Sequence, residues 1–144
     1  MEPLFFKPLP FETVWGGTAI REYYGYDWMP RMTGQAWAFA AQDKGSNICQ
    51  SGPFKGQTLG ELWESNPELF GDTDRAFPVI VSLLCPCDDL SIQVHPDQEH
   101  ARALGYPYGK NEAWYFLEAD PDARIVFGHN GANERDLRQK IAVG

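Results

Sequence analysis

The sequence is short of several things, and each shortage excludes something. No apolar run approaches the roughly 18 consecutive residues of a membrane-spanning helix, so no span is expected. Basic residues are scarce: 12 Lys and Arg stand against 20 Asp and Glu, a net charge of −8. A surface of that sign argues against nucleic acid or an anionic membrane as partner, although a few local cations can still hold an anionic small molecule. The cysteines Cys49, Cys85 and Cys87 are an odd number without framework spacing, which fits a reducing cytosol. The opening MEPLFFKPLPFE has no basic segment leading into a long apolar one. No signal peptide is therefore expected, and a cytoplasmic location is. There is no internal repeat and no low-complexity segment.

What is present is a packed, aromatic-rich chain. Its 144 residues fit a single domain over 1–144, long enough to bury a core. The first 35 residues are rich in turn signals, with TAIREYYG suited to a brief helix and the FF and YYGY groups read as core and lid packing. AWAFAA (36–41) suits a strand, with SNICQ as its partner. Thr58 followed by Glu61 is a capping box, and Leu59, Leu62 and Trp63 give the following helix one apolar face. NPELFG adds a short turn closed by Gly71. FPVIVSLL is a continuous apolar run, expected as a strand covered on both faces, and LSIQVHP, KNEAWYFLE and ARIVFG are expected as further strands. DQEHARALG reads as a helix capped by Asp97, and NERDLRQKIAVG as one capped by Asn133 with Leu137 and Ile141 on one side. The sum is mostly β, about six strands with a few helices.

The chemistry lies on the polar strand faces. In LSIQVHP the alternation sends Ser91, Gln93 and His95 to one side. In KNEAWYF it groups Lys110, Glu112, Trp114 and Phe116. Should these segments lie together, an amide oxygen, an imidazole nitrogen and a carboxylate would offer a mixed donor set for Zn²⁺, Fe²⁺ or Mn²⁺. Lys110 beside the carboxylate would carry a proton or bind an anion. Spacing alone is a weak signal, since a lone His-Pro after a strand is more often a structural or surface histidine. The bland readings are kept elsewhere: Cys85-Pro-Cys87 lacks a second cluster, His100 faces solvent on its helix, and GPFKG lacks the spacing of a phosphate-binding loop.

The ordered set VWGG (14–17), GPFKGQTLGELWE (52–64), ELFG (68–71), FPVIVSLL (77–84), LSIQVHPD (90–97) and KNEAWYFLE (110–118) resembles the N-terminal part of type I mannose-6-phosphate isomerase, also called phosphomannose isomerase, in its shorter bacterial branch. The resemblance runs from about Leu4 to Gly144. It implies a cupin-like barrel (double-stranded β-helix or jelly roll), incomplete in this chain, and a zinc-dependent interconversion of mannose 6-phosphate and fructose 6-phosphate. It also implies Gln93, His95 and Glu112 as zinc ligands and Lys110 as an active-site residue. Ser91 corresponds to a small polar residue beside the substrate phosphate, and Trp15 to an aromatic near the pocket.

The chain departs from the family pattern after Glu112. The family carries a further ligand histidine in a Pro-Gly-x-x-His segment and a later active-site arginine, and neither pattern occurs here. The later histidine, His129, lies in FGHNG, and Arg135 and Arg138 lie on the expected last helix. The implied zinc site is therefore incomplete, with the neutral Gln93 a weak donor. Two outcomes are expected of such a chain: an isomerase, or the N-terminal part of one, and alternatively an inactive cupin-like binding module. A homodimer or a complementary C-terminal half is the expected protein partner.

Overall fold

A computed structural model describes residues 2–71 and 76–143. Two compact units divide the chain after Leu90.

The first unit is built on strand pairing. Its elements are β1 (Phe6–Lys7), β2 (Leu9–Glu12), α1 (Ala19–Glu22), β3 (Thr33–Phe39), β4 (Ala41–Gln42), β5 (Gly45–Ser46), β6 (Ile48–Cys49), α2 (Leu59–Ser65) and β7 (Val81–Leu84). β3 is the central strand, antiparallel to β2 on one side and β7 on the other, with Pro10 opposite Ala36 and Leu83 opposite Ala36 across the second edge. Pro10 is tolerated because β2 is an edge strand and needs no outward amide. Ile20, Met29 and Ala36 form the buried centre, with Tyr26, Leu83 and Cys85 packed around them. A second group is aromatic: Phe39 meets Phe6 and Phe77 edge-on at 5.5 and 5.3 Å, and Trp63 of α2 meets Phe77 at 5.1 Å.

Asn47 locks the turns of this unit together. It is fully buried, accepts from the Ala40 amide at 2.6 Å, and donates to the carbonyls of Lys7 and Trp37, each at 2.8 Å. One side chain thus serves three backbone groups from separate points of the chain. The VWGG motif has a packing cause as well. A Cβ on Gly16 would fall 2.7 Å from the Gly34 nitrogen, and one on Gly17 would fall 2.9 Å from Cys85 Sγ. The glycines let the Trp15 turn close on the chain after β7, where the Cys87 amide donates to the Trp15 carbonyl at 2.9 Å.

Helices fall where capping signals place them. Thr58 and Glu61 form the full reciprocal box at the start of α2, burying Leu59 and Leu62. In the second unit Asp97 accepts from the His100 amide at the start of α3 (Gln98–Ala103), and Asn133 accepts from the Asp136 amide at the start of α4 (Glu134–Val143).

Strand partners differ from expectation. Ile48–Cys49 pairs with Phe6–Lys7 rather than with β3, while Ala41–Gln42 folds back on Gly45–Ser46. The apolar run 77–84 enters the sheet only from Val81, and Val79, Ile80 and Val81 are exposed rather than covered on both faces. Tyr23 and Tyr24 are exposed as well, and of the FF pair Phe6 packs while Phe5 is exposed. In the second unit LSIQVHP, KNEAWYFLE and ARIVFG belong to no ladder among the described residues. They keep the i, i+2 side-chain neighbours of an extended chain, as Ser91–Gln93 and Glu112–Trp114 show. Period two fixes which residues share a face, but a ladder also needs a partner strand that the pattern does not name. Ile141 likewise is exposed on α4.

Candidate functional site

Two short stretches of the second unit are clamped side by side. The Lys110 amide donates to the Pro96 carbonyl at 3.0 Å. Gln98, in the first turn of α3, reaches the loop before Lys110 with both ends of its amide. Its Nε2 donates to the Pro107 carbonyl at 3.0 Å and its Oε1 accepts from the Gly109 amide at 3.3 Å. Gly109 permits this approach, since a Cβ there would lie 2.6 Å from Asp97 C and Gln98 N.

The clamp sets three side chains against each other. Lys110 Nζ lies 2.7 Å from Glu112 Oε2 and 3.0 Å from His95 Nε2, and His95 Nε2 lies 3.3 Å from Glu112 Oε2. An ammonium has no lone pair, so Lys110 donates in both bonds. In its Nδ1–H tautomer His95 accepts at Nε2. Nitrogen and carboxylate oxygen thus aim lone pairs at one cation. The Lys110 ammonium bonded to Oε2, and after it the Trp114 indole bonded to Oε1, hold the Glu112 carboxyl below the usual carboxylate range. The side chains of His95 and Glu112 are about one-quarter and one-third exposed, at 27% and 36%, so the cluster opens to solvent.

The other expected site residues lie apart from this triangle in their bonding. Gln93 Nε2 donates to Ser91 Oγ at 2.6 Å, so those two neighbours on one face are tied to each other. Trp15 belongs to the first unit, half-buried, with its ring beside Gly34. Among the described residues, no group of three or more His, Cys, Asp and Glu is placed to hold a metal. His100 pairs with Asp97 at 2.8 Å as part of the α3 cap. Cys49, Cys85 and Cys87 are free thiols. Two residues escaped the sequence reading as site components, Gln98 and Trp114. For Trp114 the signal was available, because period two places it on the face of Glu112.

A profile for the catalytic domain of type I phosphomannose isomerase matches residues 6–124. The chain belongs to that family. Mannose-6-phosphate isomerase ManA of Bacillus subtilis is 44% identical, and the match covers 99% of this chain and 46% of the relative. The mannose-6-phosphate isomerase of Streptococcus mutans is 39% identical with the same coverage. The crystal structure of the mannose 6-phosphate isomerase from Bacillus subtilis superposes with a TM-score of 0.93 at 39% identity, over 99% of this chain and 46% of that one. The mostly β fold with few helices is thus the cupin type of the phosphomannose isomerases. This chain spans about half the length of the relatives it matches. No helix among the described residues is long and apolar enough to cross a membrane.

Proposed function

We propose that this chain is the catalytic-domain portion of a zinc-dependent mannose-6-phosphate isomerase, with mannose 6-phosphate and fructose 6-phosphate as its substrate pair. The observation that carries the reading is the convergence of His95, Lys110 and Glu112, in a member of the phosphomannose isomerase family. The donor pair fits the metal. Two ligands at about 2.1 Å from a tetrahedral zinc stand about 3.4 Å apart, and His95 Nε2 and Glu112 Oε2 are 3.3 Å apart. The cation now between them is the Lys110 ammonium. His95 and Glu112 would hold the zinc, and Gln93 would join them on releasing Ser91.

When bound, zinc supplies Lewis-acid polarisation of the sugar oxygens. Moving the carbonyl from C1 to C2 requires removal of a carbon-bound proton and stabilisation of the enediolate that results. Lys110, a hydrogen-bond donor in this cluster, is the group we assign to that developing negative charge, through the proton on Nζ. Ser91 is assigned to the phosphate end of the substrate and Trp15 to the sugar. The acidic surface does not oppose an anionic substrate, because a local cation dominates at contact distance. The three free thiols fit a cytoplasmic setting.

A second reading is a cupin-like binding module without turnover. It is favoured by the small number of donors: His95 and Glu112 converge, while Gln93 is bonded to Ser91. The exposed Val94, Tyr115 and Phe127 of the second unit fit association with a second copy or with a chain supplying the further length of the relatives. A coupled assay of mannose 6-phosphate conversion, with zinc added, separates the readings. Turnover that saturates with zinc and disappears in K110M is expected. No turnover at high protein concentration would leave the binding module as the function of this chain.

A further inference from the structure

We propose that Trp114 is a positioning residue for Glu112, its indole N–H holding Oε1 so that Oε2 alone is presented to the cation beside His95. The two carboxylate oxygens have separate partners. Trp114 Nε1 donates to Oε1 at 2.7 Å, while Oε2 receives Lys110 Nζ at 2.7 Å and faces His95 Nε2 at 3.3 Å. A free carboxylate turns easily about its last torsion, whose energy profile is broad and two-fold. With Oε1 held, that rotation is closed off and Glu112 offers one oxygen, not two. A cation beside His95 would therefore meet Glu112 through one oxygen.

The indole is itself placed by the chain. Glu112, Trp114 and Phe116 follow at spacing two, and the Trp114 ring lies 6.1 Å from that of Phe116, tilted by 58°. Both rings are exposed, so this contact is a minor restraint and the bond to Oε1 is the stronger tie on the indole. Partners behind a ligating carboxylate typically change metal affinity by about 10–100-fold when removed. The affinity consequence rests on the zinc reading above; the hydrogen bond does not.

The test uses the full 144-residue chain with its tryptophans labelled with ¹⁵N at the indole, the Trp114 cross-peak being assigned through W114F. E112A is expected to move that cross-peak to the position of a solvent-bonded indole. E112Q, which keeps an amide oxygen as acceptor, is expected to move it only part of the way. An unmoved cross-peak in E112A would overturn the proposal, and this arm leaves Trp114 itself intact. In the second arm Zn²⁺ is titrated calorimetrically. W114F keeps the ring but not the donor and is expected to weaken binding by about tenfold or more, whereas F116L keeps the donor and is expected to stay within about twofold. Unchanged zinc binding in W114F would overturn the proposal. If the unaltered chain takes up no zinc, the metal reading falls, and the E112A cross-peak alone decides the positioning of Glu112.

Discussion

The two units of this chain solve the problem of the backbone differently. Up to Leu90, strands pair, the core is closed by Ile20, Met29 and Ala36, and even the turns are tied by the buried amide of Asn47. From Ser91 onward most large apolar residues are exposed, with Val94 at 93% and Phe127 at 95%. Order there comes from local devices: a helix cap at Asp97, the Gln98 clamp and the Lys110–Pro96 backbone bond. Yet the candidate chemistry sits in this second unit. Site geometry can be held by a few specific hydrogen bonds where the surrounding chain buries little, while stability needs the paired sheet and its core.

Breaking that contrast should cost most at Asn47. Asn47→Ala leaves the buried Ala40 amide and the part-buried Lys7 and Trp37 carbonyls without this partner. A loss of about 3 kcal/mol is expected, since unsatisfied buried groups cost about 1–3 kcal/mol each and some relaxation is available. Urea unfolding followed by tryptophan fluorescence reads it, and a loss below about 1 kcal/mol would deny the amide its role.

A smaller effect is expected at the start of α2. Thr58→Ala removes the hydroxyl half of the capping box, keeps the backbone amide that donates to Glu61, and should cost about 1 kcal/mol. The box also carries a pH signature. The Thr58 backbone amide, and after it the Thr58 hydroxyl, hold the Glu61 carboxyl below its ordinary value. A depressed carboxyl contributes stability that is present above its unfolded pKa and lost as pH falls through the folded one. The gap between parent and T58A should therefore narrow as the solution is taken into that acidic range. A gap independent of pH would separate Glu61 from the Thr58 hydroxyl.

Local signals were the legible part of this fold. Thr58 with Glu61, Asp97 with His100 and Asn133 with Asp136 each declare a helix start within four residues, and all three helices begin there. Strand partners were not legible, because pairing of Phe6–Lys7 with Ile48–Cys49 depends on contacts forty residues apart. The site was legible in part. Period two put His95 on one face of its segment and Lys110 with Glu112 on one face of theirs, but what joins the segments is the Gln98 clamp and the room left by Gly109. Those depend on a loop conformation that no hydrophobic period encodes.

The central claim is that His95 and Glu112 form one cation site. Calorimetric titration of Zn²⁺ into the 144-residue chain, repeated for H95A and E112Q, tests it most directly. One zinc per chain is predicted, with affinity lowered by at least about tenfold in each variant. Their thermal stability should change little, because the ion pairs they remove are partly exposed. Zinc binding that is absent from the unaltered chain, or that survives undiminished in H95A and E112Q, would contradict it.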